Sequence, residues 1–310
     1  MRVFVAGATG VIGRRLVPVL LAGGHEVTGM TRSPGKLEAL RALGAEAVLA
    51  DALDADAVAA ALSAARPDAV IDQLTSLPAR IDPRRIDRDF AMNDRLRVEG
   101  TPILVAAARA AGASRVLAQS IAFAYAPGPA GTVHEEGDPL YLDAPEPFRR
   151  SANALHELER TVGEVGGTVL RYGYFYGPGS SISSGGSMAT DLARRRLPIV
   201  GSGQGVWSFI HVDDAARATV CALDAGRTGV YNVVDDDPAP VARWLPALAE
   251  ALGAPRPWRV PEWIARPLAG SYGVASMTRA QGASNALAKR ELDWTPAYPS
   301  WREGFRAALG

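Results

Sequence analysis

The chain has 310 residues, 48% of them hydrophobic, with 33 basic and 33 acidic side chains. This length suffices for one large domain or two closely joined ones. The charge balance argues against nucleic acid or an anionic membrane surface as a main partner. A single cysteine, Cys221, excludes an internal disulfide. No segment reaches the roughly 18–20 apolar residues of a membrane span, and no Cys/His cluster indicates a metal site, so we expect a cytoplasmic protein.

The chain begins with an apolar run at 3–6, a glycine-rich turn and a helical pattern. Gly7, Gly10 and Gly13 have the spacing G-x-x-G-x-x-G. Such a turn places backbone N–H groups and a helix N-terminus at one point, which suits a pyrophosphate. The residues predicted to contact a dinucleotide at this turn are Gly7, Thr9, Gly10, Val11, Ile12, Gly13 and Arg14.

Strand-like and helix-like segments then alternate along the chain. After the first strand, further strands are predicted at 26–31, 45–50, 69–72, 115–119, 168–171 and 230–234. Helical patterns lie at 14–23, 35–44, 55–65, 93–112 and 152–163. This alternation predicts an α/β fold with a doubly wound parallel sheet of the Rossmann type.

The rhythm changes after Tyr176, where a Gly/Ser/Pro-rich loop begins. We expect a dinucleotide-binding domain at 1–177, to which 204–235 returns. Residues 178–203 and 236–310 are expected to form a smaller, mostly helical substrate-binding lobe. Such a lobe would sit over the carboxyl ends of the strands, where ligands bind in open α/β sheets.

The end of the second strand discriminates between nucleotides. An acidic residue there accepts the ribose 2′-OH of NAD, but residues 31–36 contain none. Arg32, Ser33 and Lys36, with Arg14 or Arg15, favour NADP, because guanidinium groups suit a phosphate. The alternative is a solvated basic surface beside a turn. The remaining predicted contacts lie at strand ends and are Asp51, which could equally be a capping residue, Gln73, Gln119 and Tyr172.

Six motifs together resemble one family. They are the glycine turn and the blocks at 98–101, 116–120, 171–179, 209–214 and 292–296. With these the chain resembles the extended short-chain dehydrogenase/reductase superfamily, in its NAD-dependent epimerase/dehydratase branch. The resemblance implies a Rossmann fold, a bound nicotinamide nucleotide and a proton relay built on Tyr-x-x-x-Lys, in which a Ser or Thr helps to orient the substrate.

The chain departs from that relay. Ser151 holds the register of the motif, so Phe148 replaces the tyrosine and Ala152 replaces the lysine. Ile121 stands where the family has Ser or Thr. Neither Phe nor Ala can carry a proton, so we expect the usual relay to be absent. Trp207 stands where sugar-nucleotide enzymes commonly have an arginine for the substrate phosphates, which disfavours that substrate class.

Three residues are candidates to replace the relay. Tyr125 and Ser120 lie at or just after the end of the fifth strand, and His156 follows Ala152 by one turn, on what is predicted to be the same helix face. Each of them has a structural alternative, His156 above all. The residues predicted to line an apolar substrate pocket, or else to pack the core, are Phe123, Phe148, Tyr174 and Trp207.

The sequence therefore favours an NADP(H)-dependent oxidoreductase acting on a small, fairly apolar carbonyl or hydroxyl compound, in secondary metabolism. Two alternatives remain open. One is a nonredox isomerase, dehydratase or cyclase that keeps a bound nucleotide. The other is an NADP-binding redox sensor or scaffold. The expected partner is a small-molecule substrate, and a homodimer is one candidate assembly.

Overall fold

A computed structural model describes residues 1–82, 85–129, 131–146 and 148–309. Its centre is a sheet of seven parallel strands in the order β7-β6-β5-β4-β1-β2-β3. The strands are β1 (Arg2–Ala6), β2 (Glu26–Thr31), β3 (Glu46–Leu49), β4 (Ala69–Asp72), β5 (Arg115–Ile121), β6 (Thr168–Tyr172) and β7 (Gly229–Val233). Strands β2 and β3 are added on one side of β1 and the later strands on the other, so the strand order reverses between β1 and β4. The carboxyl ends of these two strands therefore form the crevice in which such sheets bind ligands.

Helices cover both faces of this sheet, and further helices pack in the C-terminal part. In chain order they are α1 (Gly13–Ala22), α2 (Leu37–Ala42), α3 (Ala55–Ala65), α4 (Ile86–Arg95), α5 (Thr101–Ala110), α6 (Phe148–Glu164), α7 (Ser187–Ala193), α8 (Val212–Ala225), α9 (Val241–Ala251), α10 (Glu262–Thr278), α11 (Ala286–Leu292) and α12 (Trp301–Leu309). A 3-10 turn, Pro34–Lys36, precedes α2.

The apolar residues of β1 explain why a layer of helices packs on each face of the sheet. Val3 and Val5 join a core with α1 and α8, whereas Phe4 and Ala6 join a second core with α3, α5 and α6. Successive side chains of a strand point to opposite faces. A continuous apolar run is therefore what a strand covered on both faces requires. The predicted doubly wound sheet is confirmed.

One predicted helix, at 93–112, is not continuous. The structure has α4, a π-helical turn at Leu96–Gly100, and α5. Pro102 at the start of α5 lacks the N–H that a regular helix would donate to the carbonyl of Val98. The α-helical ladder therefore changes register here, and the π turn carries Arg97 into the interior.

The C-terminal part has a core of its own, to which Trp207, Trp244, Trp301 and Phe305 contribute. This part contains α9 to α12, and its predicted extent as a separate lobe stays a prediction; Gly310, its predicted last residue, lies outside the described residues. Short strands outside the central sheet are Val133–His134, Tyr174–Tyr176, Ile199–Val200, Val206–Trp207, Phe209–His211, Ala239–Pro240, Arg259–Val260 and Gly282–Ala283. Among the described helices, none is both long and apolar enough to cross a membrane.

Candidate active site

The turn after β1 brings the backbone against the end of β4. Gly7 has a φ of +83°, and a Cβ at this position would lie 2.4 Å from the carbonyl oxygen of Gln73. Gly10 N donates to the Gly7 carbonyl at 2.9 Å and closes the turn. Only glycine fits at Gly7, so the turn leaves an open backbone cradle in front of α1, where free N–H groups attract an anion.

A groove runs from this turn across the ends of β2, β3 and β4. Its lining contains eight residues that the sequence predicted for the nucleotide: Gly7, Thr9, Gly10, Arg32, Ser33, Lys36, Asp51 and Gln73. Seven further lining residues were missed: Met30, Thr31, Ala50, Ala52, Leu74, Thr75 and Leu96. Most of these flank predicted residues at strand ends, and that position is the signal that could have found them.

The β2 end of the groove is positively charged. Arg32 and Lys36 are exposed, and neither forms an ion pair within the described part of the chain. At this end Thr31 Oγ1 accepts a hydrogen bond from Ser33 N at 3.2 Å, which fixes the backbone between the two residues. Asp51 accepts a hydrogen bond from Leu53 N at 3.0 Å, as a residue in a tight turn does. The two free cations can therefore hold a phosphate.

A chain of hydrogen bonds fixes the Gln73 amide. Thr219 donates its hydroxyl proton to Ala215 O at 2.8 Å, so Tyr172 donates to Thr219 at 2.6 Å and accepts from Gln73 Nε2 at 3.1 Å. Burial raises the pKa of Tyr172 to about 12. Gln73 Oε1 is buried beside the groove and has no hydrogen-bond partner among the residues that the structure describes. An orphaned acceptor and an open glycine cradle in one groove fit a bound dinucleotide.

Other predicted contacts lie elsewhere. Ile12 and Tyr172 are buried in the core of the α1 side, Val11 packs against it, and Gly13 begins α1. Gln119 Nε2 donates to the Leu74 carbonyl at 2.9 Å, beside the groove.

Arg14 and Arg15 line a separate groove between α1 and α8, where Arg15 pairs with Asp213. Arg14 Nε also donates to the Gly10 carbonyl at 3.4 Å, at the glycine turn, so a phosphate site shared by Arg32 and one of these arginines stays a prediction.

The helix α6 contains no relay. Ala152 is fully buried, and Phe148 is 7% exposed with its ring stacked on Tyr272. The buried polar groups near α6 form a cluster of a serine, an aspartate and an arginine. Ser151 Oγ donates to Asp94 Oδ2 at 2.7 Å, and Asp94 also pairs with Arg97 Nη1 at 3.1 Å.

Arg97 is thus a buried cation linked through Asp94 to Ser151, the residue before the position where the family has its lysine. Burial lowers its pKa, and Asp94 partly offsets that effect. Sequence reasoning missed this residue. Its place directly before the motif block at 98–101 is the one signal that could have pointed to it.

Two candidate replacements belong to a buried network. Ser120 Oγ donates to Glu159 Oε1 at 2.6 Å. The Tyr125 hydroxyl donates to Asn232 Oδ1 at 2.6 Å and accepts from Arg171 Nη1 at 2.9 Å. Burial also raises the pKa of Tyr125. Both hydroxyls are occupied inside the protein, and their catalytic role stays a prediction.

The third candidate, His156, is exposed on α6 while Ala152 is buried. The expectation that the two share one face is wrong, and the reason is geometric. Four residues of an α-helix advance the side chain about 40° beyond a full turn. Ala152 lies at one edge of the buried face of α6, so that rotation carries His156 into solvent.

Three of the four predicted pocket aromatics form one stack, which Phe148 does not join. Phe123 stacks on Tyr174 with ring centroids 4.1 Å apart, and Tyr174 stacks on Trp207 at 3.8 Å. Trp207 Nε1 donates to Ser276 O at 3.0 Å, which ties the stack to α10. Because Phe123 follows β5 and Tyr174 follows β6, these rings lie at the carboxyl edge of the sheet. In the described part of the chain, no group of three His, Cys, Asp or Glu residues could hold a metal ion.

A doubly wound sheet with a glycine cradle and a basic groove defines a nucleotide-binding α/β enzyme class. Residues 3–234 match the model of the NAD dependent epimerase/dehydratase family, and the chain belongs to that family. A protein named 3-diazoavenalumate denitrifying reductase, from a Streptomyces species, is 49% identical over 310 residues, covering 98% of this chain and 99% of the relative.

Two solved structures share the fold over nearly the whole chain. UDP-glucose 4-epimerase from Thermotoga maritima, solved with UDP-glucose, has a TM-score of 0.80 at 21% identity and covers 99% of this chain and 97% of its own. The Thermus thermophilus UDP-glucose 4-epimerase, in complex with NAD, has a TM-score of 0.77 at 25% identity with the same coverage. The chain is an NAD(P)-dependent oxidoreductase, which confirms the main expectation from the sequence.

Proposed function

We propose that this oxidoreductase uses NADPH to remove nitrogen reductively from a planar aryldiazonium compound. The observation that carries the proposal is the replacement of the tyrosine and lysine of the relay by Phe148 and Ala152 on α6. The similar protein named as a denitrifying reductase supports the substrate class.

The chemistry of the two reductions differs in its need for a proton. Hydride addition to a carbonyl leaves an alkoxide, whose protonation a positioned acid assists. A diazonium carbon that accepts hydride forms a carbon–hydrogen bond, while its carbon–nitrogen bond breaks and the electron pair leaves with dinitrogen. No proton is consumed, and the positive charge of the substrate disappears. A site without a proton relay is therefore adequate for this reaction.

Bound NADPH supplies the hydride and is oxidised by two electrons, as the carbon is reduced by two. The chain itself binds and positions. We propose that the cradle at Gly7 and Gly10 holds the pyrophosphate, that Gln73 Oε1 accepts a hydrogen bond from the nucleotide, and that Arg32 and Lys36 hold the 2′-phosphate.

The aromatic stack of Phe123, Tyr174 and Trp207 would form the apolar wall that excludes water from the substrate. We assign 1–177 with 204–235 to nucleotide binding, and 178–203 with 236–310 to substrate binding. The cytoplasm is the proposed compartment, and a homodimer the proposed assembly.

The test incubates the purified protein with NADPH deuterated at the transferable position and 4-hydroxybenzenediazonium. We expect oxidation of NADPH, one dinitrogen per NADPH, and phenol that carries deuterium at the carbon that bore nitrogen. The matched control is the Gly7→Ala variant, whose added Cβ would collide with the Gln73 backbone and disrupt the cradle, so that it measures the uncatalysed background.

A parallel assay offers aromatic aldehydes and ketones. Reduction of these compounds without any denitrification above background would overturn the proposal in favour of a carbonyl reductase. Phenol without deuterium at the former diazo carbon would also contradict it, because hydride would then not be the source of the new hydrogen.

A further inference from the structure

Phe148 lacks the hydroxyl of the family's tyrosine, but another phenol lies against it. Tyr272 stacks on Phe148 with ring centroids 4.6 Å apart and an interplanar angle of 22°. Tyr272 comes from α10, far along the chain, and no motif of the sequence includes it. The C-terminal part therefore supplies a phenol ring next to the position of the family's tyrosine.

The backbone of α10 accounts for this placement. Gly270 interrupts the helix with φ +68° and ψ 172°, a conformation that essentially only glycine adopts. The segment after the break runs in a new direction, which places Tyr272 against Phe148 and Ser276 against Trp207.

The Tyr272 hydroxyl lies close enough to that of Tyr174 for the two groups to influence each other's pKa. A contact between two hydroxyls uses at most one of their two protons. The next polar group is Ser276 Oγ, whose contact with the Tyr174 hydroxyl is long at 3.5 Å. The pair therefore retains a proton that it can donate to a ligand.

Both phenols stay protonated near neutral pH. Burial raises the pKa of Tyr272 to about 12 and that of Tyr174 well above its ordinary value. A tyrosine in this state donates a hydrogen bond but does not act as a general base. The pair can thus orient a substrate without replacing the lost proton relay.

We propose that Tyr272 orients the substrate by donating a hydrogen bond, with Tyr174 behind it, to an oxygen substituent on a planar aromatic ring. The ring would lie beside the side chains of Phe123 and Tyr272, which are both only half-buried. Phe123 stacks on Tyr174, so the aromatic surface and the hydroxyl pair are contiguous. This inference rests on the proposed function for the planar substrate and extends it to the group recognised.

The test measures binding without turnover. Calorimetry gives the Kd values of 4-hydroxycinnamate and cinnamate, two planar probes that differ in one oxygen, for the wild type and for Tyr272→Phe. We expect the wild type to bind the hydroxylated probe about tenfold more tightly, as one hydrogen bond allows. In Tyr272→Phe that ratio falls to about one, while cinnamate binds as before.

Tyr298→Phe is the matched control, since Tyr298 lines the separate groove between α1 and α8 and its loss leaves the ratio unchanged. An unchanged ratio in Tyr272→Phe, equal weakening of both probes, or no binding of either probe to the wild type would each overturn the inference. The binding measurement involves no hydride transfer, so it can be interpreted even if the enzyme does not denitrify the diazonium. Equally, a negative binding result does not affect the outcome of the denitrification test.

Discussion

Arg171 and Glu159 form a bidentate ion pair inside the protein, with Nε–Oε1 at 2.8 Å and Nη2–Oε2 at 2.6 Å. Their side chains are 5% and 8% exposed. Burial alone would lower the pKa of Arg171, but the pair with Glu159 raises it above its ordinary value. The guanidinium thus stays charged and fixes Tyr125 and Glu159 relative to β6.

Glu159→Gln should lower the free energy of unfolding by on the order of 3 kcal/mol, because it leaves a buried arginine without its counter-ion. Urea denaturation measures the change. The matched control is Glu157→Gln on the same helix, whose partner Arg160 is exposed, and we expect it to leave stability nearly unchanged. Equal losses in the two variants would contradict the importance of burial.

Gly7→Ala should abolish nucleotide binding. The added Cβ would lie 2.4 Å from the Gln73 carbonyl, and φ of +83° is strained for alanine. Fluorescence titration with NADPH measures the loss, which we expect to exceed a hundredfold in Kd. Gly24→Ala has a similar φ of +79° but meets no atom within 4 Å, so it shares the backbone strain without the collision. Its NADPH affinity should match that of the wild type.

Arg32→Ala combined with Lys36→Ala should raise the Kd for NADPH at least tenfold and leave the Kd for NADH unchanged. The reason is that the two cations would face only the extra 2′-phosphate. Arg109→Ala, at an exposed arginine near the end of α5, is the control and should change neither value. A parallel loss for both nucleotides would assign the cations to the pyrophosphate instead.

Asp72 makes stability depend on pH. Burial raises the pKa of its carboxyl from 3.8 to about 6, although Leu74 N and Thr101 Oγ1 donate to it. Between these values the unfolded chain has lost a proton that the folded protein keeps, so stability falls as pH rises. The fall is at most ~3 kcal/mol, at 1.36 kcal/mol per pKa unit.

Asp72→Asn should remove this fall, and urea unfolding at pH 4 and pH 7 measures it. Asp68→Asn is the control of opposite sign, because the backbone N–H of Arg2 lowers the pKa of Asp68, whose contribution is lost as pH decreases. A pH dependence of Asp72→Asn equal to that of the wild type would refute the assignment.

Tyr125→Phe should cost about 1–3 kcal/mol of stability, because Asn232 and Arg171 lose a buried partner. Turnover should change less than threefold in this variant and not at all in His156→Ala, whose side chain is exposed. Denaturation and steady-state kinetics measure the two effects. A thousandfold loss of kcat in Tyr125→Phe with unchanged stability would instead support a catalytic role for Tyr125.

The sequence by itself determined the sheet, the glycine cradle and the loss of the relay, because these depend on local patterns. Apolar runs define strands, Gly7 is required by the backbone turn, and Phe148 and Ala152 replace two residues in a motif read in register. Only the tertiary structure decided which side chains meet. It placed Arg14 and Arg15 in the lining of a groove between α1 and α8, turned His156 into solvent and buried Arg97.

The same physical reason explains why Tyr272 was not predicted. Its contact with Phe148 spans more than a hundred residues and depends on one break in α10, at Gly270. Periodicity reports which face of a helix is buried but not which residue of a distant element covers it. Such contacts are decided by the packing of the lobe on the sheet, where a turn of about 40° or one positive φ redirects a side chain.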